Sequence, residues 1–139
     1  MSTPDFPRPL PTGEGDAARY WSALAEGRIE LPRCQACARL IFYPRPFCPA
    51  CHSTNVAWEE IPGAGRVYTY SVVHRATHPW FMSRTPYVYA VVTLGAGVRL
   101  PTTIVGCAPE AVEIDLPVEP VFESVGEGAA LLFFRPTRS

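Results

Sequence analysis

The chain predicts a mainly β protein in three parts: a short N-terminal helix, a small ribbon pinned by four cysteines, and a barrel of five short strands. Three observations carry that expectation. Four of the five cysteines fall in two Cys-x-x-Cys pairs, Cys34–Cys37 and Cys48–Cys51, separated by ten residues. Sixteen prolines in 139 residues interrupt the chain too often for a helical protein. Beyond Gly65 the apolar residues recur with a period of two between turn-rich stretches, the pattern of half-buried strands.

Residues 1–27 are expected to form an arm and a helix. Met1 to Gly13 is rich in proline and polar groups and reads as an extended arm. From Asp16 the pattern turns helical. Asp16 is placed to cap, Ala17, Tyr20, Trp21 and Leu24 share one face, and Gly27 is placed to end the helix. An isolated helix of this length is marginal in water. Tyr20 and Trp21 must therefore bury, either against the chain's own ribbon or against a partner, and large aromatics serve both ends.

Residues 28–60 are the expected ribbon. Arg28 to Leu31 reads as a strand leading into the first cysteine turn, and Leu40-Ile41-Phe42-Tyr43 as a β-rich run stopped by Pro44 and Pro46. Phe42, Tyr43 and Phe47 read either as ribbon packing or as an exposed patch, and packing is the expectation. Two Cys-x-x-Cys turns facing each other supply the four sulfurs of a tetrahedral structural zinc site, so Cys34, Cys37, Cys48 and Cys51 are the expected Zn2+ ligands. With so few apolar residues, the ribbon should draw much of its folding free energy, on the order of 10 kcal/mol, from the metal. Competing uses of the cysteines fit less well. Disulfides need an oxidising compartment, and Met1 to Leu10 contain no basic start followed by an apolar core. Cys48-Pro49-Ala50-Cys51-His52 matches a haem-attachment pattern but leaves Cys34 and Cys37 unexplained. A thioredoxin-like redox pair belongs beside a βαβ pattern, and none is apparent. Rubredoxin-like iron remains the alternative to zinc. His52 reads as a surface residue, because four thiolates complete the zinc shell.

Residues 61–139 are the expected barrel. Ile61-Pro62-Gly63-Ala64-Gly65 is a turn-rich connector. Strands are expected at Arg66–Arg75, Tyr87–Leu94, Val98–Gly106, Val118–Val125 and Ala129–Arg135, with hairpin turns at Gly95-Ala96-Gly97 and Gly126-Glu127-Gly128. Five short strands in so small a unit favour a Greek-key barrel of the OB type, whose closure removes exposed edges. The connection Ala76 to Pro86 is far longer than a hairpin needs and carries His78, Trp80, Phe81, Met82 and Arg84. It either folds back as a lid or offers these residues to a ligand or protein partner. The second is favoured, because barrels of this type bind through this first loop and the adjoining strand face.

Formal net charge is −1, but its distribution is uneven. No acidic residue lies between Ile61 and Pro109, while Glu110 to Glu127 carries six and no base. The chain has no lysine, so every permanent side-chain cation is an arginine, the better fork for phosphate or carboxylate. Biased genome composition explains this as well as function does. Near-neutral charge argues against nucleic acid, whose affinity rests on phosphate neutralisation. No apolar run reaches membrane-span length; the nearest, Tyr87 to Val98, is broken by Thr93, Gly95 and Gly97. A soluble, cytoplasmic protein without a membrane contact is expected.

Several phrases together resemble a known family. They are the N-terminal helix, Pro44-Arg45-Pro46-Phe47-Cys48-Pro49-Ala50-Cys51, Gly65-Arg66-Val67-Tyr68-Thr69-Tyr70, the pair Pro86-Tyr87, and Val105-Gly106-Cys107. In this order they are similar to the zinc-ribbon plus OB-fold proteins of domain-of-unknown-function family 35, over about Tyr20 to Pro136. The resemblance implies an acyl-CoA-associated accessory subunit beside a thiolase-like, lipid-transfer-type thiolase or aldolase, or hydratase enzyme. The partner would carry the catalytic residues. Some members are fused to a hydratase domain, for which this chain is too short, so a partner in trans and a hetero-oligomer are expected.

The residues read by themselves fit that implication. A coenzyme A thioester needs cations for its phosphates, a stacking surface and an apolar channel. Arg66, Arg75, Arg84 and Arg99 with Trp80 and Phe81 are the candidates, solvated strand ends being the alternative for each arginine. No catalytic set is expected. Cys107, the one spare thiol, reads as a small core cysteine, and His74 and His78 lie beside arginines rather than carboxylates. Two other classes stay open. One is a single-strand nucleic-acid binder using Tyr68, Tyr70, Tyr87 and Tyr89 as stacking platforms. The other is a rubredoxin-like electron carrier.

Overall fold

The computed structural model describes residues 15–126 and 129–137. The expected arm, Met1 to Gly13, and the tip of the last hairpin at Glu127 and Gly128 lie outside these residues. A 3₁₀ turn at Gly15–Ala17 leads into α1 (Ala18–Ala25). Asp16 does not cap this helix. The extra turn draws Asp16 inside, so the N-cap is Ala17, which offers no side-chain acceptor. The other end follows the sequence signal. Gly27 takes φ +80, Arg28 N–H donates to Ala23 O at 2.8 Å, and Gly27 N–H donates to Leu24 O at 3.0 Å, a Schellman closure.

The ribbon is an antiparallel pair, β1 (Glu30–Cys34) and β2 (Val56–Glu60), with Glu30 opposite Glu60 and Cys34 opposite Val56. The expected run Leu40–Tyr43 is not a strand. It makes one bridge, Leu40 to Arg33, and one bond from Ile41 N–H to Pro32 O at 2.9 Å. Pro32 has no N–H to return, so a ladder on that edge of β1 stops there. Phe42 packs against the main core rather than the ribbon's own cluster, whereas Tyr43 and Phe47 are 43% and 40% exposed, as the exposed-patch reading has them.

Five strands then close a barrel: β3 (Gly65–Val73), β4 (Tyr87–Leu94), β5 (Arg99–Ile104), β6 (Pro117–Gly126) and β7 (Ala129–Pro136). Around the barrel the order is β3-β4-β5-β7-β6. β7 runs parallel to β5 at Ile104–Phe134, and β6 closes on β3 at Gly65–Val118 and Arg66–Pro117. This is the Greek-key closure expected of an OB barrel, and the whole chain is mainly β as the prolines and the period-two runs imply. Gly65 is required where the sheet closes: a Cβ there would sit 2.6 Å from Thr93 O.

The long connection between β3 and β4 holds one helical turn, α2 (Pro79–Met82). Its N-cap is His78, whose Nδ1 accepts from Trp80 N–H at 3.1 Å, and Pro79 takes the first helical position. One continuous core joins the three parts. Tyr20 and Leu24 of α1, Leu31 and Leu40 of the ribbon, and Val67, Val92, Leu100, Val118 and Phe134 of the barrel belong to a single buried cluster. Inside it, Thr102 Oγ1 donates to Leu132 O at 3.0 Å. Tyr20 thus packs on its own chain, and burial raises its phenol pKa well above the usual range.

Candidate metal centre and apolar groove

The four ribbon cysteines come together as two copies of one backbone turn. Cys34 N–H donates to Arg39 O at 2.8 Å and Ala38 N–H to Cys34 O at 2.9 Å. The same two bonds recur for Cys48 N–H to Ser53 O, 2.9 Å, and His52 N–H to Cys48 O, 2.8 Å. Each turn ends on a residue in the left-handed region, Ala38 at φ 68 and His52 at φ 65. The folds of the two turns aim four Sγ atoms at one point, all within 4.8 Å of one another. The pairs Cys34–Cys51 and Cys37–Cys48 stand 3.5 and 3.6 Å apart. A tetrahedral ion with metal–sulfur bonds near 2.3 Å needs sulfur–sulfur edges of about 3.8 Å, so the donor set fits.

Local electrostatics suit that use. The Cys34 thiol is pulled down to about 6, first by the Cys37 amide N–H, against the opposing effect of burial. The Cys51 amide does the same for Cys48, which is also lowered. Cys51 goes the other way, to about 11. There the Ser53 amide favours the thiolate but is outweighed by hydrogen bonding to Cys34, burial and the neighbouring thiols. Cys34 and Cys48 are buried and Cys37 and Cys51 exposed, so the centre lies at the ribbon surface. His52 is exposed, as expected.

The aromatic residues line an apolar groove. At one end a cavity of about 310 Å³ lies between Trp80, Phe81 and Arg84, the strand residues Tyr87 and Ile104, and Cys107 in the loop after β5. It adjoins a hollow of about 670 Å³ that runs across Tyr89, Thr103 and Phe133 to Tyr20, Trp21 and Tyr43. Phe81, Tyr87, Thr103 and Phe133 line both. Trp21 is half-buried and donates through Nε1 to Tyr43 Oη at 2.8 Å, which fixes the far wall. Cys107 is half-buried rather than a full core residue, and burial pushes its thiol up. Met82, the last residue of α2, is 53% exposed and lines neither hollow.

The predicted arginines do not gather in one place. Arg84 lies 3.9 Å over the Trp80 ring and pairs with Glu123 at 2.9 Å, at the groove. Arg66 and Arg99 both flank Thr93, near the opposite end of β4 from Tyr87. Eight strand residues separate those ends by roughly 23 Å. There Arg66 Nη1 donates to Asp115 O at 3.0 Å, and Arg99 lies 3.9 Å over Tyr68. Arg75 is exposed beyond the end of β3. Sequence reasoning missed Arg33 and Arg39, which share a cleft with Arg99.

A closed five-stranded Greek-key barrel joined to a four-thiol ribbon defines the class of this protein as a zinc-ribbon plus OB-fold chain. Two family models match it in that order. Residues 21–57 match the "ChsH2, rubredoxin-like zinc ribbon domain", and residues 58–123 the "ChsH2, C-terminal OB-fold domain". A DUF35 domain-containing scaffold protein of Methanocaldococcus jannaschii is 43% identical over 97 residues, 68% of this chain and 67% of that one. A scaffold protein of the same name from Methanothermobacter thermautotrophicus is 38% identical over 68% of this chain and 71% of its own. The chain is 40% identical to a "Probable enoyl-CoA hydratase alpha subunit" of Thermomonospora curvata over 93% of its own length, but spans 40% of that protein. Among solved structures, one named "Ltp2-ChsH2(DUF35) aldolase" matches with a TM-score of 0.80 and 39% identity, over 91% of this chain and 98% of that one. A Sulfolobus solfataricus protein of the same family shares the fold alone, at TM-score 0.62 and 16% identity. The chain belongs to the DUF35 family of zinc-ribbon plus OB-fold proteins.

Proposed function

We propose that the chain is a noncatalytic zinc-holding scaffold subunit, cytoplasmic, that assembles with a thiolase- or aldolase-type enzyme and helps it bind acyl-CoA. The observation that carries this reading is the match to a chain of the solved aldolase over nearly the full length of both. Zinc is the ion that four thiols at tetrahedral spacing on a ribbon of this kind take as a closed structural site. Its role is to hold the ribbon's side of the groove. The apolar groove, lined by half-buried Trp80 and Phe81, with exposed Met82 next to them on α2, is the contact surface for the enzyme and the path for an acyl chain. Among the described residues no helix is long and apolar enough to cross a membrane. The test is co-expression with a thiolase- or aldolase-type enzyme from the same genome, followed by size-exclusion chromatography and turnover assays. Co-elution, with about one zinc per copy of this chain and faster turnover than the enzyme alone, is expected. Separate elution with an equally active lone enzyme overturns the reading.

A further inference from the structure

A second cleft, of about 470 Å³, opens at the junction of ribbon and barrel and shares Phe42 with the groove. Its ribbon wall is Arg33 and Ala38 to Leu40, its barrel wall the β4–β5 hairpin, Ala96 to Arg99. Three arginines, Arg33, Arg39 and Arg99, are among the residues that line it, and no acidic residue is. We propose that this cleft is an anion site for a phosphoryl group, mono- or diphosphate, gripped by Arg39 and Arg99 with Arg33 behind them.

The three arginines are held differently. Arg33 is already paired with Glu59 through Nε, and its Nη1 donates to Ala38 O at 2.7 Å. It therefore braces the first cysteine turn and leaves little net charge for a ligand. Arg39 and Arg99 are exposed and have no carboxylate partner among the described residues. Two cations without a carboxylate partner thus border one concavity, and a bound dianion pairs with both. Arg99 is steadied by the Tyr68 ring 3.9 Å away, so its planar fork is partly ordered before a ligand arrives. Arg39 follows directly on Ala38, the left-handed residue of the cysteine turn, and its carbonyl accepts from Cys34 N–H. The fold of the metal turn thus places one of the two gripping cations. Planar bidentate donors favour phosphate oxygens over a simple halide.

The phosphoryl group can belong to a free diphosphate or to the phosphorylated nucleotide end of coenzyme A; only the second source rests on the function proposed above. Isothermal titration of the zinc-loaded protein with inorganic pyrophosphate and with adenosine 3′,5′-bisphosphate separates the sources. Wild-type protein is expected to bind at least one of them, with tenfold or greater weakening in R39Q/R99Q. The charge-matched control R45Q/R135Q is expected to bind as wild type does, and zinc content confirms that each variant is folded. Tighter binding of the bisphosphate assigns the nucleotide source, and tighter binding of pyrophosphate assigns the free one. Two results overturn the proposal: no binding of either anion at millimolar concentration, or equal binding by R39Q/R99Q and wild type. Neither result touches co-elution with an enzyme, so this proposal can fail while the scaffold reading stands.

Discussion

Ala38 and His52 show what single residues cost in this fold. Each closes a cysteine turn with positive φ, a conformation that disfavours an L side chain by about 1–2 kcal/mol. Replacing Ala38 by glycine removes that strain but adds roughly 0.4–1 kcal/mol of unfolded-state entropy. The difference favours the variant. Ala38→Gly should stabilise the metal-loaded protein by about 0.5–1 kcal/mol, read as a higher denaturant midpoint with unchanged slope; a lower midpoint would mean that the Ala38 methyl contributes packing that outweighs its strain. These turns were invisible in the sequence for a specific reason. Left-handed positions usually announce themselves with glycine or asparagine, and neither stands here. The four cysteines were legible because metal geometry imposes their spacing, whereas the capping role expected of Asp16 failed on a single extra turn of chain.

At the scale of elements, the ribbon and the barrel differ in what holds them. The ribbon's own cluster is Cys34, Ile41 and Cys48 with half-buried Val56 beside it. With Leu40 and Phe42, which pack in and against the main core, the segment's four large apolar side chains supply at most about 6–12 kcal/mol. Ordering the twenty or so residues from Cys34 to Val56 costs on the order of 1 kcal/mol each in backbone entropy, so burial alone loses. Removal of the metal by a strong chelator should therefore release amide protection in Cys34–Val56, while β3 to β7 stay protected. Hydrogen exchange measures both, and full retention of ribbon protection would assign its stability elsewhere. The same contrast explains legibility. β4 and β5 alternate buried and less buried residues over a closed core and β7 is a continuous apolar run, so the barrel strands could be read to within a few residues. β2 could not, because Val56-Ala57-Trp58-Glu59-Glu60 has little apolar alternation and is a strand only through its partner β1. Leu40–Tyr43 has β-forming residues but meets Pro32 across the edge and makes no ladder. The helical turn α2 was also hidden, inside a stretch that composition marks only as a loop. Its Trp80 and Phe81 line the groove, so Trp80→Ala with Phe81→Ala should weaken co-elution with the partner enzyme tenfold or more while leaving zinc content at the wild-type level. Loss of zinc in that variant would instead make the loop structural.

The molecule as a whole is bound together by a core that ignores its three sequence segments. Leu24 lies on α1, outside both ribbon and barrel, yet is 1% exposed and belongs to the same cluster as Val67, Leu100 and Phe134. Such sharing comes from tertiary packing, as does the cleft that brings Arg99 to Arg33 and Arg39 of the ribbon, and one-dimensional spacing carries no trace of either. It has a measurable consequence for cooperativity. Leu24→Ala removes three buried carbons and leaves a cavity where helix and barrel meet, a change that costs about 2–5 kcal/mol in well-packed cores. If the helix were an independent appendage, that loss would stay local: the helix would fray and the barrel amides would exchange as before. With a shared core, the helix cannot detach without exposing barrel side chains to water, so the loss must appear in the global unfolding free energy. Protection of the slowest β4 and β5 amides should then fall by about 2 kcal/mol or more in Leu24→Ala, in step with the denaturant midpoint. A change of less than about 0.5 kcal/mol at those amides, the range of ordinary surface substitutions, would mean that helix and barrel unfold separately.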